Sequence, residues 1–290
     1  GGIPLKKIIN LGSASGTGKS TIIDEMVYYW LFHSPHKIGV LSLESDSAEY
    51  GGKLLSRHLG RKIDLINDPQ DKYEFLGSSE VEEQANHLFR NDDGSHRFHI
   101  IEDRDGTLDS IKELISQLVI ECEARIIIID PIQDVLDGTS NEEQSTFMKW
   151  LKGMVKSHDV TFVLVNHVRK SNGNGKANST GADIHEEDFQ GSSSIFKSAS
   201  CNLLFTRNKE HESDLMRNIT KMKCTKMRWT GRTSPKAGEY YYDNDTHTLY
   251  DLDDYLDSHP SARAEYDSFV SEEGGSKPVK DFDGFVDGNF

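Results

Sequence analysis

Nine consecutive residues, Ser13-Ala14-Ser15-Gly16-Thr17-Gly18-Lys19-Ser20-Thr21, have the types and spacing to hold a phosphate chain. Gly16 and Gly18 free the backbone to curl its N–H groups around phosphate oxygens. Lys19 reaches the outer phosphates, and the Ser20 hydroxyl is a ligand for magnesium. Ser15, Thr17 and Thr21 join these as nucleotide contacts. A helix that starts here points its positive end at the same anion. Ser13 stands where the pattern G-x-x-x-x-G-K-[S/T] has its first glycine. The bland alternative is a Gly/Ser-rich turn that matches by chance. The apolar run Ile8, Ile9, Leu11 before the motif and the helical pattern after it speak against that.

Three further apolar runs end in polar side chains. Ile126-Ile127-Ile128-Ile129-Asp130 fits a strand buried on both faces. A carboxylate at its C-terminal end sits where α/β sheets bind ligands, so Asp130 is the magnesium-side acid, acting mostly through water. Val40-Leu41-Ser42-Leu43-Glu44 puts a second carboxylate at a strand end, and Glu44 is the candidate base that orients an attacking water. The alternative for Glu44 is a solvated residue capping the next helix. Val163-Leu164-Val165-Asn166-His167 is the third run, and His167 or Asn166 is a candidate γ-phosphate sensor; alternatively His167 is a structural histidine at a strand end. Arg169, Lys170 and Lys176 follow within a Gly/Asn/Ser-rich stretch. They are candidate contacts to a nucleic-acid backbone, or else a solubilising surface.

These residues need a scaffold that brings strand ends together. Up to residue 206, strand-like runs at 6–11, 37–43, 97–101, 125–130, 160–165 and 201–206 alternate with helical segments at 19–33, 47–59, 107–121, 141–157 and 192–199. That alternation predicts an α/β domain with a mostly parallel sheet flanked by helices. Ser140 or Asn141 caps the 141–157 helix, with Glu142 and Glu143 in its first turn. Residues 60–96 read as one helix between loops and 168–187 as a long mobile loop. Two later strands, 217–226 and 239–243, lead to a hairpin through Asn244-Asp245. After about Tyr250 the composition changes. Residues 251–290 carry eleven Asp/Glu against three Lys/Arg, few aliphatics, and read as a disordered tail beyond a 1–250 ATPase domain.

The chain has 290 residues and a net charge of −15, which argues against a surface coated in basic residues to grip duplex DNA. Cys122, Cys201 and Cys224 are widely spaced, with no C-x-x-C pair, which favours a reduced cytoplasmic setting. No apolar run reaches membrane-spanning length. The chain begins Gly1-Gly2 and reaches its phosphate loop almost at once, so it reads as a piece with a further domain upstream.

The motifs SASGTGKST, LSLES, IIIIDPIQ, LVNHVRK, DFQGSSS and KMRWTG, followed by GEYYYD, resemble in that order the helicase domain of podophage primase-helicases. Mitochondrial Twinkle and bacterial DnaB-type helicases are more distant relatives. The resemblance implies a RecA-like P-loop NTPase assembled as a hexameric ring. It implies ATP or dTTP as substrate with Mg2+, and single-stranded DNA in a central channel, translocated 5′ to 3′. By resemblance Lys19 and Ser20 hold phosphate and magnesium, Glu44 is the base, Asp130 the magnesium-side carboxylate and His167 the sensor. Arg228 is similar to an arginine finger given to the adjacent subunit, with Lys226 beside it. Arg169, Lys170 and Lys176 fall in the DNA-binding loop, and Arg207 and Tyr242 match residues that sandwich the base. A primase domain or protein is an implied partner, and the acidic tail ending in Phe290 implies docking on the replicative DNA polymerase. Departures from the family are Pro131 after the magnesium acid, Gln190 where Arg is usual, and Lys197 where Gln is common. A filament-forming recombinase of RecA type shares the fold and ATPase site, and a nucleotide-timed scaffold ring is a third reading.

Overall fold

The computed structural model describes residues 3–102, 107–168, 178–189 and 193–272. The first strands and helices alternate as the apolar runs predict: β1 (Ile8–Ser13), α1 (Lys19–His33), β2 (Ile38–Ser42) and α2 (Ser47–Leu59). Two short helices follow where one was expected, α3 (Pro69–Leu76) and α4 (Ser79–Phe89). Asp68 and Ser78 each cap the helix they precede, and those caps split the 60–96 segment in two. Next come β3 (Phe98–Glu102), α5 (Leu108–Ser116), β4 (Ile126–Asp130), α6 (Ile132–Leu136), α7 (Asn141–His158) and β5 (Thr161–His167). The start of α7 is a capping box, with Ser140 on the Glu143 N–H and the Glu143 carboxylate on the Ser140 N–H. The chain then forms α8 (Ser193–Ser198), β6 (Cys201–Arg207), α9 (Asp214–Arg217), β7 (Ile219–Met227), β8 (Ser234–Asp243) and β9 (Thr248–Asp251).

One nine-stranded sheet runs β3-β2-β4-β5-β1-β6-β7-β8-β9. The six strands from β3 to β6 pair in parallel, so all their C-terminal ends lie at one edge. The last three are antiparallel. Side chains alternate across each strand and so feed two cores. Ile126 and Ile128 join Leu11, Val27 and Leu54 on one face, under α1 and α2. Ile127 and Ile129 join Leu164, Phe147 and Leu151 on the other, under α5 to α7.

Two expectations are corrected. The segment from 251 is not a disordered tail over its first part: α10 (Leu252–Ser258) and α11 (Pro260–Glu272) are helices. Leu252, Leu256 and Tyr266 bury themselves with Leu215 and Ile219, so a few well-placed apolar residues outweigh the acidic composition. Residues 273–290, Phe290 among them, lie outside the described residues. The 168–187 stretch is likewise not one mobile loop. Residues 178–189 pack on the sheet, with Ile184 2% exposed and Asp183 paired to Lys223. Residues 169–177 fall outside the described residues, and with them Arg169, Lys170 and Lys176.

Candidate functional site

Between the end of β1 at Ser13 and the start of α1 at Lys19, the chain turns tightly through Gly16 (φ 72°) and Gly18 (φ 87°). Both sit in the left-handed region, which a side chain strains. Thr17 Oγ1 donates to the Ala14 carbonyl at 2.7 Å and braces the turn. No side chain caps the first N–H groups of α1, which leaves them aimed into the loop. Ser15, Gly16 and Ser20 are exposed, Gly18 and Thr21 are half-buried, and Thr17 and Lys19 are buried.

The parallel sheet brings the neighbouring strand ends to the same place. Ser13 is in register with His167 on β5, and Ser42 with Asp130 on β4. Lys19 Nζ lies 3.3 Å and 3.4 Å from the two ring nitrogens of His167, and 3.9 Å from Asp130 Oδ1. His167 Nε2 is 3.2 Å from Glu44 Oε1. Four residues singled out from sequence, Lys19, Glu44, Asp130 and His167, are therefore one cluster. Burial pushes the Lys19 ammonium down from its ordinary pKa, against the pull of Asp130 and Glu44. Burial also lifts the Asp130 carboxyl to about 6, against the pull of Lys19. Asp130 Oδ1 is buried with no hydrogen-bond partner among the described residues. A buried carboxylate oxygen without a hydrogen-bond partner is a hard-oxygen donor of the kind that fits magnesium.

Residues 1–173, well over half of the chain, match the AAA domain family. The chain belongs to that family. It is 23% identical over 245 residues to the DNA helicase/primase of Enterobacteria phage T3, covering 83% of this chain and 41% of that protein. The chain thus spans less than half the length of this curated relative. Among solved structures its fold is similar to an ATPase domain, with a TM-score of 0.64 at 17% identity, over 87% of this chain and 86% of that one. It is also similar to a DnaB-like replicative helicase whose structure was described with its interactions with primase. There the TM-score is 0.65 at 15% identity, over 86% of this chain and 59% of that one. The expected RecA-like fold, a mostly parallel sheet flanked by helices, is the fold of this AAA domain.

The other expected site residues of this AAA domain are placed unequally. Arg207, at the end of β6, lies beside the phosphate loop: a Cβ on Gly18 would stand 3.7 Å from its Nη1. Its guanidinium donates to the Arg217 carbonyl and, at 2.7 Å, to Asn218 Oδ1. Tyr242 differs from expectation. It is 9% exposed, its hydroxyl is 2.9 Å from His247 Nδ1, and Lys62 Nζ lies 5.7 Å from its ring centre. The ring is packed into the protein and offers no open face to a base. Arg228 follows β7 and is exposed, with Nη2 on the Lys197 carbonyl at 3.2 Å. Lys226 Nζ donates to the Phe196 carbonyl at 3.0 Å. Both cations thus satisfy the carbonyl end of α8. Because β7 runs against β6, with Met227 opposite Cys201, Arg228 leaves at the sheet edge away from its own phosphate loop.

Sequence reasoning assigned no role to Gln133, Asp134, Asn10, Asn202 or Asp24. Gln133 accepts the His167 N–H at 2.9 Å and fixes the backbone at the sensor. Asp134 shares the field of Glu44 and His167, and burial raises its carboxyl. Asn166, Asn10 and Asn202, fully buried on adjacent strands, are hydrogen-bonded in a row at 3.4 Å and 3.0 Å. Asp24, on α1, is buried against His247 Nε2 at 3.1 Å. Polar residues inside apolar runs were the available signal for the asparagines. The Asp24–His247 pair joins positions 223 residues apart and left none.

Proposed function

We propose that the chain is the motor domain of a ring-forming replicative DNA helicase that hydrolyses a nucleoside triphosphate to move along single-stranded DNA. The observation that carries this reading is the contact of His167 with both Lys19 and Glu44, at the strand end that leads directly into the 168–189 segment. A side chain so held changes partners when the outermost phosphate leaves, and it passes that change to the chain that follows. Lys19 and the loop N–H groups bind the phosphates, Ser20 and Asp130 hold the ion, and Glu44 orients the attacking water. Magnesium, when bound, supplies charge neutralisation on the phosphates. Arg207 reaches the nucleoside side of the site.

The position of Arg228 at the far sheet edge supports a role in the neighbouring subunit's site, where it stabilises charge in the transition state. Each nucleotide then sits between two protomers of a hexamer. Arg169, Lys170 and Lys176 contact the DNA backbone in the channel, moving 5′ to 3′ on the encircled strand. Phe290 and its acidic surroundings dock on the replicative DNA polymerase, a primase domain or protein works alongside, and the setting is the host cytoplasm. Among the described residues no helix is long and apolar enough to cross a membrane.

Hydrolysis of ATP and dTTP measured with and without single-stranded DNA, alongside the mass of the nucleotide-bound protein, tests this reading. Stimulation by DNA and a hexamer mass are expected. DNA-independent turnover contradicts the motor reading, and an open filament that pairs strands without unwinding a fork favours a recombinase.

A further inference from the structure

The turn after β6 carries a lysine that no motif marks. Lys209 is exposed, and its Nζ lies 3.4 Å from the Ser15 carbonyl of the phosphate loop. A Cβ built on Gly16 would stand 2.9 Å from the same nitrogen, so the ammonium rests directly on the loop at Ser15 and Gly16. Among the described residues Lys209 has no acidic partner, and one long bond to a neutral carbonyl leaves most of its donor capacity unused. An ammonium in that state prefers a phosphate oxygen, to which its hydrogen bonds are charge-assisted.

The backbone of the same turn holds a second segment. The Lys209 N–H donates to the Ser179 carbonyl at 3.0 Å, and Asn208 forms an antiparallel bridge with Thr180. Gly181, at φ 77°, lets the two chains approach: a Cβ there would stand 3.3 Å from the Asn208 Cβ. Residues 207–209 therefore touch the phosphate loop with a side chain and residues 179–181 with the backbone.

We infer that Lys209 is a second cation for the phosphates of the bound nucleoside triphosphate, a positioning residue that couples the phosphate loop to residues 178–181. His167 ends β5, on one side of β1, and Lys209 follows β6, on the other. The two therefore approach the phosphate loop from opposite flanks. Binding draws the ammonium from the Ser15 carbonyl to phosphate, and the turn carries residues 178–181 with it. The inference rests on the reading of residues 13–21 as a triphosphate site.

The test compares the wild-type chain with Lys209→Gln and Lys209→Arg, using magnesium and the β,γ-imido analogue of ATP. Equilibrium binding and hydrogen exchange over residues 178–189 are the two readouts, with thermal melting to establish that each variant is folded. Lys209→Gln should weaken binding about tenfold and abolish the nucleotide-dependent change in exchange, and Lys209→Arg should restore both. Wild-type affinity in Lys209→Gln overturns the inference, as does an unchanged exchange response at 178–181. Failure of the triphosphate reading is separate: the wild-type chain itself would then not bind the analogue.

Discussion

From β3 to β6 every strand runs the same way and delivers its last residue to one edge of the sheet, whereas from β7 to β9 the direction alternates. In the parallel half this stacks Ser13, Asp130 and His167 together, with Glu44 two residues past β2, and a site forms within one chain. In the antiparallel half the same sheet carries Arg228 to the opposite edge, where its own chain has no phosphate for it. Strand direction alone thus separates Lys19, Glu44, Asp130 and His167, which gather at one edge, from Arg228, which lies at the other. The two halves are also bolted together, because Asp24 on the phosphate-loop helix is buried against His247 of the β8–β9 turn.

The sharpest way to break this division is Arg228→Ala. If the arginine serves a neighbour, steady-state hydrolysis should fall by about 10³-fold or more while nucleotide affinity stays within a factor of two or so. A parallel loss of affinity would place Arg228 in its own chain's site. Next in size is the bolt between the halves. His247→Ala leaves the Asp24 carboxylate buried without its partner and should cost about 3–5 kcal/mol in denaturant unfolding. A change below about 1 kcal/mol would show that the halves are held by apolar packing alone. Within the antiparallel half, Leu256 is 1% exposed in the small cluster under α10 and α11. Leu256→Ala should cost about 2–4 kcal/mol, and proteolysis should cut first in 252–272. First cleavage in the parallel half would contradict an independent small core there.

The smallest effect is a gain, and it tests the strain in the parallel half. Burial raises Asp130 to about 6, so in the metal-free folded chain its ionised form is disfavoured relative to the unfolded chain. That cost is absent below the ordinary carboxylate pKa, grows as pH rises toward about 6, and is constant above it. Asp130→Asn should therefore stabilise the metal-free protein at pH 7 by up to about 3 kcal/mol, give little gain at pH 4, and stop hydrolysis. Equal unfolding curves at pH 7 would mean that solvent or Lys19 already offsets the burial.

The parallel half was far more legible in the sequence than the antiparallel half. Its strands, the edge strand β3 apart, stand out as largely apolar runs because they are buried on both faces, and the expected bounds match β1 to β6 to within two residues at each end. Asp130, Glu44 and His167 were readable because each is polar and sits at or just past the end of such a run, and Lys19 because it belongs to the Gly-rich motif of residues 13–21. Lys209 and Gln133 were not, since they touch the site from segments whose position depends on the whole sheet. The helices of 252–272 hid behind their charge: only Leu252, Leu256 and Tyr266 bury themselves, too sparsely to set a local period. Tyr242 was misjudged because position near a nucleotide does not reveal whether a ring is open or packed, and here His247 and Lys62 enclose it.

The central claim is that a phosphate site held by one protomer is completed by the arginine of another. Lys19→Ala and Arg228→Ala chains, each inactive alone, can be co-expressed, purified as mixed assemblies and tested for single-turnover triphosphate hydrolysis. Where the Lys19 of one variant meets the Arg228 of the other, the account predicts an intact site and recovered hydrolysis. Mixed assemblies as inactive as either variant alone would contradict it.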